Sequence, residues 1–416
     1  MDAQKGSPRR RAVIPVSPLI SLTIMAGFGE LGYAVVNFSA LPPFADKHGQ
    51  FELVGLYYAV WLVVEAVVKA PVGVLGDRIG RRSLIIAGPL ISALMQPLLV
   101  LFPHPAAILP IRAIDGAAAA LLWPSVFSLV GDRFPTHTRA QAMGLMNLMY
   151  MIGVAVAPFL GGHLNERTNS VNASFYLASG LLLFCSLSAA LCIGPDSHRQ
   201  RLSTAKMPRS SFVKAMGEAV SRVPEMMWIA FFAFMAVGAL LPVVKKYIMA
   251  EFGMGEGGFG NLLIIPALVI GLASVGLARV ADRWGKEKSV RLGMGMCLFP
   301  LVFAASQGLL FAAGMDKTVF LYLFGAAACL LGAGFVLAIP AWLALVTEKA
   351  EASGRGGVVG AVGAAQGIGA VIGGALAPLL YQKISPSSPY IAAALSLAGA
   401  WLVVMLKIKP AQNNSE

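Results

Sequence analysis

The chain reads as an all-α membrane protein, with twelve transmembrane helices arranged as two pseudo-symmetric six-helix bundles. Three observations carry that reading. Only 12% of the 416 residues are charged and 57% are hydrophobic, with a mean hydropathy of +0.74. Soluble chains carry about 25% charged residues, so too little polar surface exists to face water all round. Apolar runs of about 20 residues, the length that crosses a ~30 Å hydrocarbon core, recur along the chain. Finally, residues of the first half return in the second at fixed offsets.

The first six spans are expected near 16–41, 51–75, 83–102, 108–129, 140–162 and 175–193. The second six are expected near 226–248, 262–281, 290–310, 319–346, 358–381 and 390–406. The runs are continuous and not alternating, which favours helices over barrel strands. The first is too long for a signal-peptide apolar core and has no small-residue cleavage site, so it is expected to remain in the mature protein. Between the two sets lies one long basic connection, 195–224, read as a solvated cytoplasmic linker with a surface amphipathic helix at 212–223, a contact to anionic membrane lipids being the alternative. The expected division is therefore 1–194, 195–224 and 225–416.

The net charge of +12 raises the question of a nucleic-acid partner. Placing the charges answers it. With the N-terminus inside, 24 of the 32 Lys and Arg fall in inner segments and six in outer ones, while Lys69 and Arg112 lie within spans. That is a positive-inside pattern. It implies a cell-membrane protein with both termini cytoplasmic and no nucleic-acid partner. Cys185, Cys192, Cys297 and Cys329 sit in apolar runs, and the five histidines are scattered singly. Neither set has metal-ligand or disulfide spacing.

The repeat is specific. Gly76–Arg82 (Gly-Asp-Arg-Ile-Gly-Arg-Arg) returns 205 residues later as Ala-Asp-Arg-Trp-Gly-Lys-Glu. At an offset of 216, Pro124, Asp132, Arg133, Arg139, Gly144 and Gly153 meet Pro340, Glu348, Lys349, Arg355, Gly360 and Gly369. Parallel repeats of this kind place a transport site at the midplane, between the halves.

On these residues the chain resembles the major facilitator superfamily, and in particular its twelve-helix drug/proton antiporters. The loop Gly73-Val-Leu-Gly76-Asp77-Arg78-Ile-Gly80-Arg81-Arg82 is similar to that family's motif between helices 2 and 3. Arg112-Ala-Ile-Asp115-Gly116 resembles its helix 4 motif, with Asp115 where Gln is usual. Gly153, Ala157, Pro158, Gly161 and Gly162 resemble the helix 5 motif of antiporters, with Ala157 in place of a Gly. The resemblance implies a secondary transporter, not an enzyme, that works by alternating access as a monomer. It implies no cofactor and a proton as the driving ion. It further implies a cytoplasmic latch, in which Asp77 meets the N-terminus of helix 11 and Arg81 reaches Asp132, mirrored by Asp282, Arg283, Lys286 and Glu348. Carboxylates at helix N-termini answer the dipole and the free amides there. The small residues at every fourth position of helix 5 lay a flat seam, for which Gly271 and Gly276 in helix 8 are the expected opposing surface.

Ionisable groups inside a span are costly and mark functional sites. Five are expected there, all in the first half: Glu30, Glu65, Lys69, Arg112 and Asp115. Glu65 and Lys69, four apart, can pair on one face, as can Arg112 and Asp115, three apart. Either pair can equally be a self-neutralising structural feature. Glu30 has no partner on its own helix and is the leading coupling residue. Fully ionised, the five sum to −1, which leaves room for one proton or one monovalent cation. Tyr33, Asn37, Asn147, Tyr150, Phe231, Phe234, Trp342 and Gln366 are the expected substrate lining, suited to flat apolar ligands. The reading is proton-coupled efflux of small lipophilic or cationic compounds. The alternative is import or facilitated passage of an organic anion clamped by Arg112, Lys69 and Lys245.

Overall fold

The computed structural model describes residues 18–134, 136–194, 223–351 and 355–408. Most of the linker 195–224 falls outside them, as do the side chains of Gly73, Asp77, Arg78, Asp132, Asn147, Gly276 and Asp282. The first half comprises α1 (Pro18–Ala34), a π-helical segment (Val35–Ala40), α2 (Leu41–Lys47), α3 (Val54–Ile79), α4 (Arg81–Leu101), α5 (Pro105–Arg133), α6 (Thr136–Thr168) and α7 (Ala173–Cys192). The second comprises α8 (Pro224–Leu240), α9 (Val244–Phe252), α10 (Glu256–Trp284), α11 (Lys286–Ala305), α12 (Gln307–Ala312), α13 (Lys317–Glu351), α14 (Arg355–Lys383) and α15 (Ser388–Lys407). Every expected span coincides with one of these helices or with a run of them. Most overrun their apolar cores by a turn or more, as helices do that continue into a headgroup layer.

Among the described residues ten helices are long and apolar enough to cross a membrane, and the pair α8 and α9 makes eleven. That pair bends by 41° at residues 241–243, where Pro242 withholds a helical N–H. The twelfth expected span lies inside α10. This helix has 29 residues, but its side chains from 272 to 282 fall outside the described set.

The packing is twofold. In the first half α1 packs on α6 and α7, α4 on α5 and α7, and α3 on α5. In the second, α8 packs on α14 and α15, α11 on α13 and α15, and α10 on α13. The two sets correspond element by element. Between the halves α6 meets α10 and α3 meets α14, a pair of contacts that the same correspondence exchanges. Glycines repeat the pattern. Gly88 presses its Cα side on the α5 backbone and Gly293, 205 positions on, does the same to α13. Gly153 abuts the α1 backbone at Gly27 and Leu31, and Gly369, 216 on, abuts α8 at Phe231. Gly80 (φ +94°) and Gly285 (φ +85°) make the equivalent sharp turns into α4 and α11, a conformation that L side chains resist.

Among the described residues the halves meet at the end that the charge bias puts outside. There Gly55 meets the backbone of Gly374, Gly260 meets that of Pro158 and Phe159, and the Phe51 and Tyr381 rings lie 5.8 Å apart. Toward the other end, a Cβ on Gly363 or Gly367 of α14 would meet no atom within 4 Å. Among the described residues the arrangement is closed at this end, called outer below after the charge bias.

Candidate functional site

The five embedded charges sort into two groups. Arg112 and Asp115, one turn apart on α5, form a dry ion pair. Both side chains are 1% exposed, with Nη1 to Oδ2 at 2.8 Å. The second guanidinium nitrogen donates to Asn37 Oδ1 at 2.9 Å, and the Trp61 ring centroid lies 5.5 Å from the guanidinium carbon. Gln96 donates to the other Asp115 oxygen at 3.2 Å and to the Ser92 carbonyl at 2.9 Å, while Tyr33 and Ser92 share a hydroxyl contact of 3.2 Å. An isolated charge is prohibitive in such surroundings, and only this density of partners holds the pair there.

Glu30, Glu65 and Lys69 form the second group. Glu65 and Lys69 pair at 2.9 Å, with side chains 11% and 44% exposed. Glu30 is buried on α1, where the Tyr150 hydroxyl of α6 meets its carboxyl and Glu65 and Lys69 act on it at longer range. Gly153 allows that arrangement, since a Cβ there would come within 2.9 Å of the α1 backbone and 3.3 Å of Glu30 Cβ. The helix 5 motif thus delivers Tyr150 to Glu30. The rings of Trp123 and Tyr150 lie 5.1 Å apart, and those of Tyr33 and Trp61, beside the Arg112 network, 6.2 Å apart.

Along the rest of α6 the small residues face the π-helical segment, α7 and α10. Ala157 is fully buried, and its carbonyl accepts from Ser39 Oγ at 3.1 Å. Gly161 abuts Ser39 and Ser174, and Gly162 abuts the Glu256 carbonyl at the start of α10. On α10 Gly257 and Gly260 meet α6; no described atom comes within 4 Å of a Cβ at the expected Gly271, and the expected Gly276 lies outside the described residues. The closure is at the outer end, so the outer glycines of α10 meet α6.

At the inner end, Gly76 is buried and Gly80 makes the turn, while Arg81 donates to the Ser128 carbonyl, one turn before Asp132. Arg82 reaches the Ala190 carbonyl at 2.6 Å, tying α4 to α7. In the second half Lys286 and Glu348 form an ion pair and Arg283 is exposed. The Asp77, Arg78, Asp132 and Asp282 parts of the expected latch lie outside the described residues, as does the Asn147 side chain.

The expected lining does not form one surface. Tyr33 and Asn37 belong to the Arg112 network. Phe231 stacks edge-on with Trp228 and Phe232. Phe234 lines a small apolar cavity of about 90 Å³ within the second bundle, with Phe335, Leu331 and Ala338. Trp342 is 5% exposed and sits in the apolar core, while Gln366 is half-buried on α14.

Residues missed from the sequence complete the picture. Lys245, read as an outer charge and 2% exposed, pairs with Glu256 at 2.8 Å and donates to the Ser39 carbonyl at 2.9 Å. Asn165 also donates to Glu256, at 2.7 Å, and the Glu166 carboxylate abuts Gly255 and Gly257 at the head of α10. Lys246 bridges to Asp46 at 2.6 Å. The available signal was a lysine within an apolar segment, whose need for a partner points to the nearest carboxylate.

The profile of the Major Facilitator Superfamily matches residues 20–300 and 226–416. The inner membrane transport protein YajR of Escherichia coli (strain K12) is 22% identical over 426 residues, covering 98% of this chain and 86% of that protein. Multidrug resistance protein 2 of Bacillus subtilis (strain 168) is 23% identical, over 67% of this chain and 65% of its own length. Among solved structures, the nucleoside transporter NupG superposes with a TM-score of 0.75 at 14% identity, over 94% of this chain and all of that one.

Proposed function

Given that the chain belongs to the major facilitator superfamily, and so is a multi-pass membrane transporter and no enzyme, we propose that it exports small lipophilic cations in exchange for protons. Both termini are then cytoplasmic, and one chain supplies both walls of the pathway. One observation carries the proposal. Among the described residues Arg112 is matched by Asp115 and Lys69 by Glu65, while Glu30 is an embedded carboxyl with no ion-pair partner among them. A carboxyl so placed holds a proton while the site is empty and yields it to an incoming cation, so the two compete for one position. The Tyr150 and Trp123 rings, 5.1 Å apart, suit the apolar body of such a cation. Multidrug resistance proteins among the relatives support the substrate class.

The organic-anion alternative needs a free cation. Each of its three clamping residues is already engaged: Arg112 by Asp115 and Asn37, Lys69 by Glu65, and Lys245 by Glu256. Proteoliposomes carrying an imposed pH gradient test the proposal, with a cationic dye in one arm and a labelled organic acid in the other. The proposal expects gradient-driven dye movement that Glu30→Gln abolishes. Organic-acid movement that survives Glu30→Gln would establish the alternative.

A further inference from the structure

The dry ion pair and the outer seam are separate places, yet one short stretch of chain touches both. Val35–Ala40 is π-helical. A π turn inserts a residue into the helix, frees carbonyls from the usual ladder and recurs at functional positions. Within it, the Asn37 side chain accepts from Arg112 Nη2 at 2.9 Å, and the Asn37 carbonyl accepts from the Tyr58 hydroxyl. Two residues on, the Ser39 carbonyl accepts from Lys245 Nζ at 2.9 Å and from Asn165 Nδ2 at 3.4 Å. Lys245 belongs to the second bundle, and its other partner is Glu256, which Asn165 of the first bundle also holds. Lys245, Glu256, Asn165 and the Ser39 carbonyl therefore form a buried polar clasp across the seam.

We propose that the π-helical turn Val35–Ala40 couples the Arg112–Asp115 pair to this clasp, so that the state of the pair sets whether the outer end is closed. Asn37 and Ser39 are positioning residues in this device. While Arg112 holds Asn37, the turn keeps its extra residue and presents the Ser39 carbonyl to Lys245. When the pair is disturbed and Asn37 is released, the turn relaxes toward an α-helix and withdraws that carbonyl. Lys245 then loses a partner that it needs in a dry setting, and hydration of the opened seam becomes the better alternative. A packed element with two discrete arrangements, biased from both ends, is what such coupling requires. The inference rests on the transporter reading only through the existence of two alternating faces, not on protons or cations.

Spin labels on Lys47→Cys and Lys383→Cys, exposed positions at the outer end of opposite bundles, read the opening once the four native cysteines are replaced. Double electron–electron resonance is recorded on the purified full chain. Lys245→Met is expected to raise the long-distance population at least fivefold. Asp115→Asn is expected to do the same in the native background, to change it less than twofold when combined with Asn37→Ala, and to lose its effect with Asn37→Asp, whose carboxylate holds Arg112 without Asp115. Gln96→Ala, which removes a donor from Asp115 without touching the ion pair, runs in parallel, so the comparison does not depend on the fold tolerating Asp115→Asn. An equal shift with and without Asn37 would overturn the coupling, as would no response to either perturbation of Asp115. No response to Lys245→Met would overturn the clasp. Failure of the proton-exchange assay would leave these distances unaffected, so the two ideas fail separately.

Discussion

Replacing Gly162 with valine places a Cβ against the Glu256 carbonyl group, whose carbon would lie 2.8 Å away, and 3.3 Å from the Gly257 nitrogen. These are backbone atoms at the head of α10, so no rotamer change relieves the clash, and the helices must separate. Overpacking of this kind costs about 1–3 kcal/mol. The cost arises only while α6 and α10 are in contact, so it falls on the outer-closed arrangement and spares the opened one. At about 1.4 kcal/mol per tenfold, the closed population should drop by a factor of about 5 to 150 relative to the open one. Gly260→Ala approaches the same seam from the opposite side, with its Cβ 2.6 Å from Phe159 Cα and 2.7 Å from the Pro158 carbonyl oxygen, and should act alike. Gly180→Ala on α7, with nothing within 4 Å, is the control. The assay is the rate at which a membrane-impermeant thiol reagent modifies a cysteine placed at His163, whose ring faces Gly257 across the seam. A rise with both seam variants and none with Gly180→Ala is expected. Unchanged rates for Gly162→Val in a folded protein would refute the assignment of this seam as the closing surface.

Two further substitutions probe separate parts of the account. Arg112→Leu strands Asp115 in a dry site and should lower stability by about 3–5 kcal/mol, measured as the loss of melting temperature in detergent. The double change Arg112→Leu with Asp115→Leu should recover much of that loss, and failure to recover would place the cost in packing and not in charge. Asp316 caps α13, accepting from the Thr318 and Val319 amides at 2.8 and 3.2 Å, which hold its carboxyl below the ordinary aspartate range. A lowered value means stability present above the unfolded pKa and lost as pH falls through the folded one. The melting temperature of the native chain should therefore exceed that of Asp316→Ala at neutral pH. The difference should shrink below the usual aspartate value near 3.8, and a pH-independent difference would contradict the cap.

The spans were legible because a 20-residue apolar run is a local property, and their sidedness was assigned from a summed charge bias. The i,i+3 and i,i+4 pairs were equally local, and Arg112–Asp115 and Glu65–Lys69 both form. What the sequence concealed was long-range or conformational. Lys245 and Glu256 are separated by a helix break, and their partner Asn165 lies in the other bundle. The π turn at Val35–Ala40 is one extra residue with no compositional mark. The opposing glycines were sought at Gly271 and Gly276; Gly276 lies outside the described residues, and the contacts described fall at Gly257 and Gly260. A regular small-residue stripe shows which face packs, but the end that meets depends on which side of the molecule is closed. Aromatic residues in apolar spans carry the same ambiguity: Trp342 packs in the core and Phe234 turns into its own bundle.

The claim that one embedded carboxyl serves proton and cation in turn is tested most directly by proton counting. Purified protein in weakly buffered detergent is titrated with tetraphenylphosphonium while a pH indicator records release. The account expects close to one proton freed per cation bound, since the embedded set sums to −1, and none from Glu30→Gln. Cation binding without proton release, or release that persists in Glu30→Gln, would contradict it.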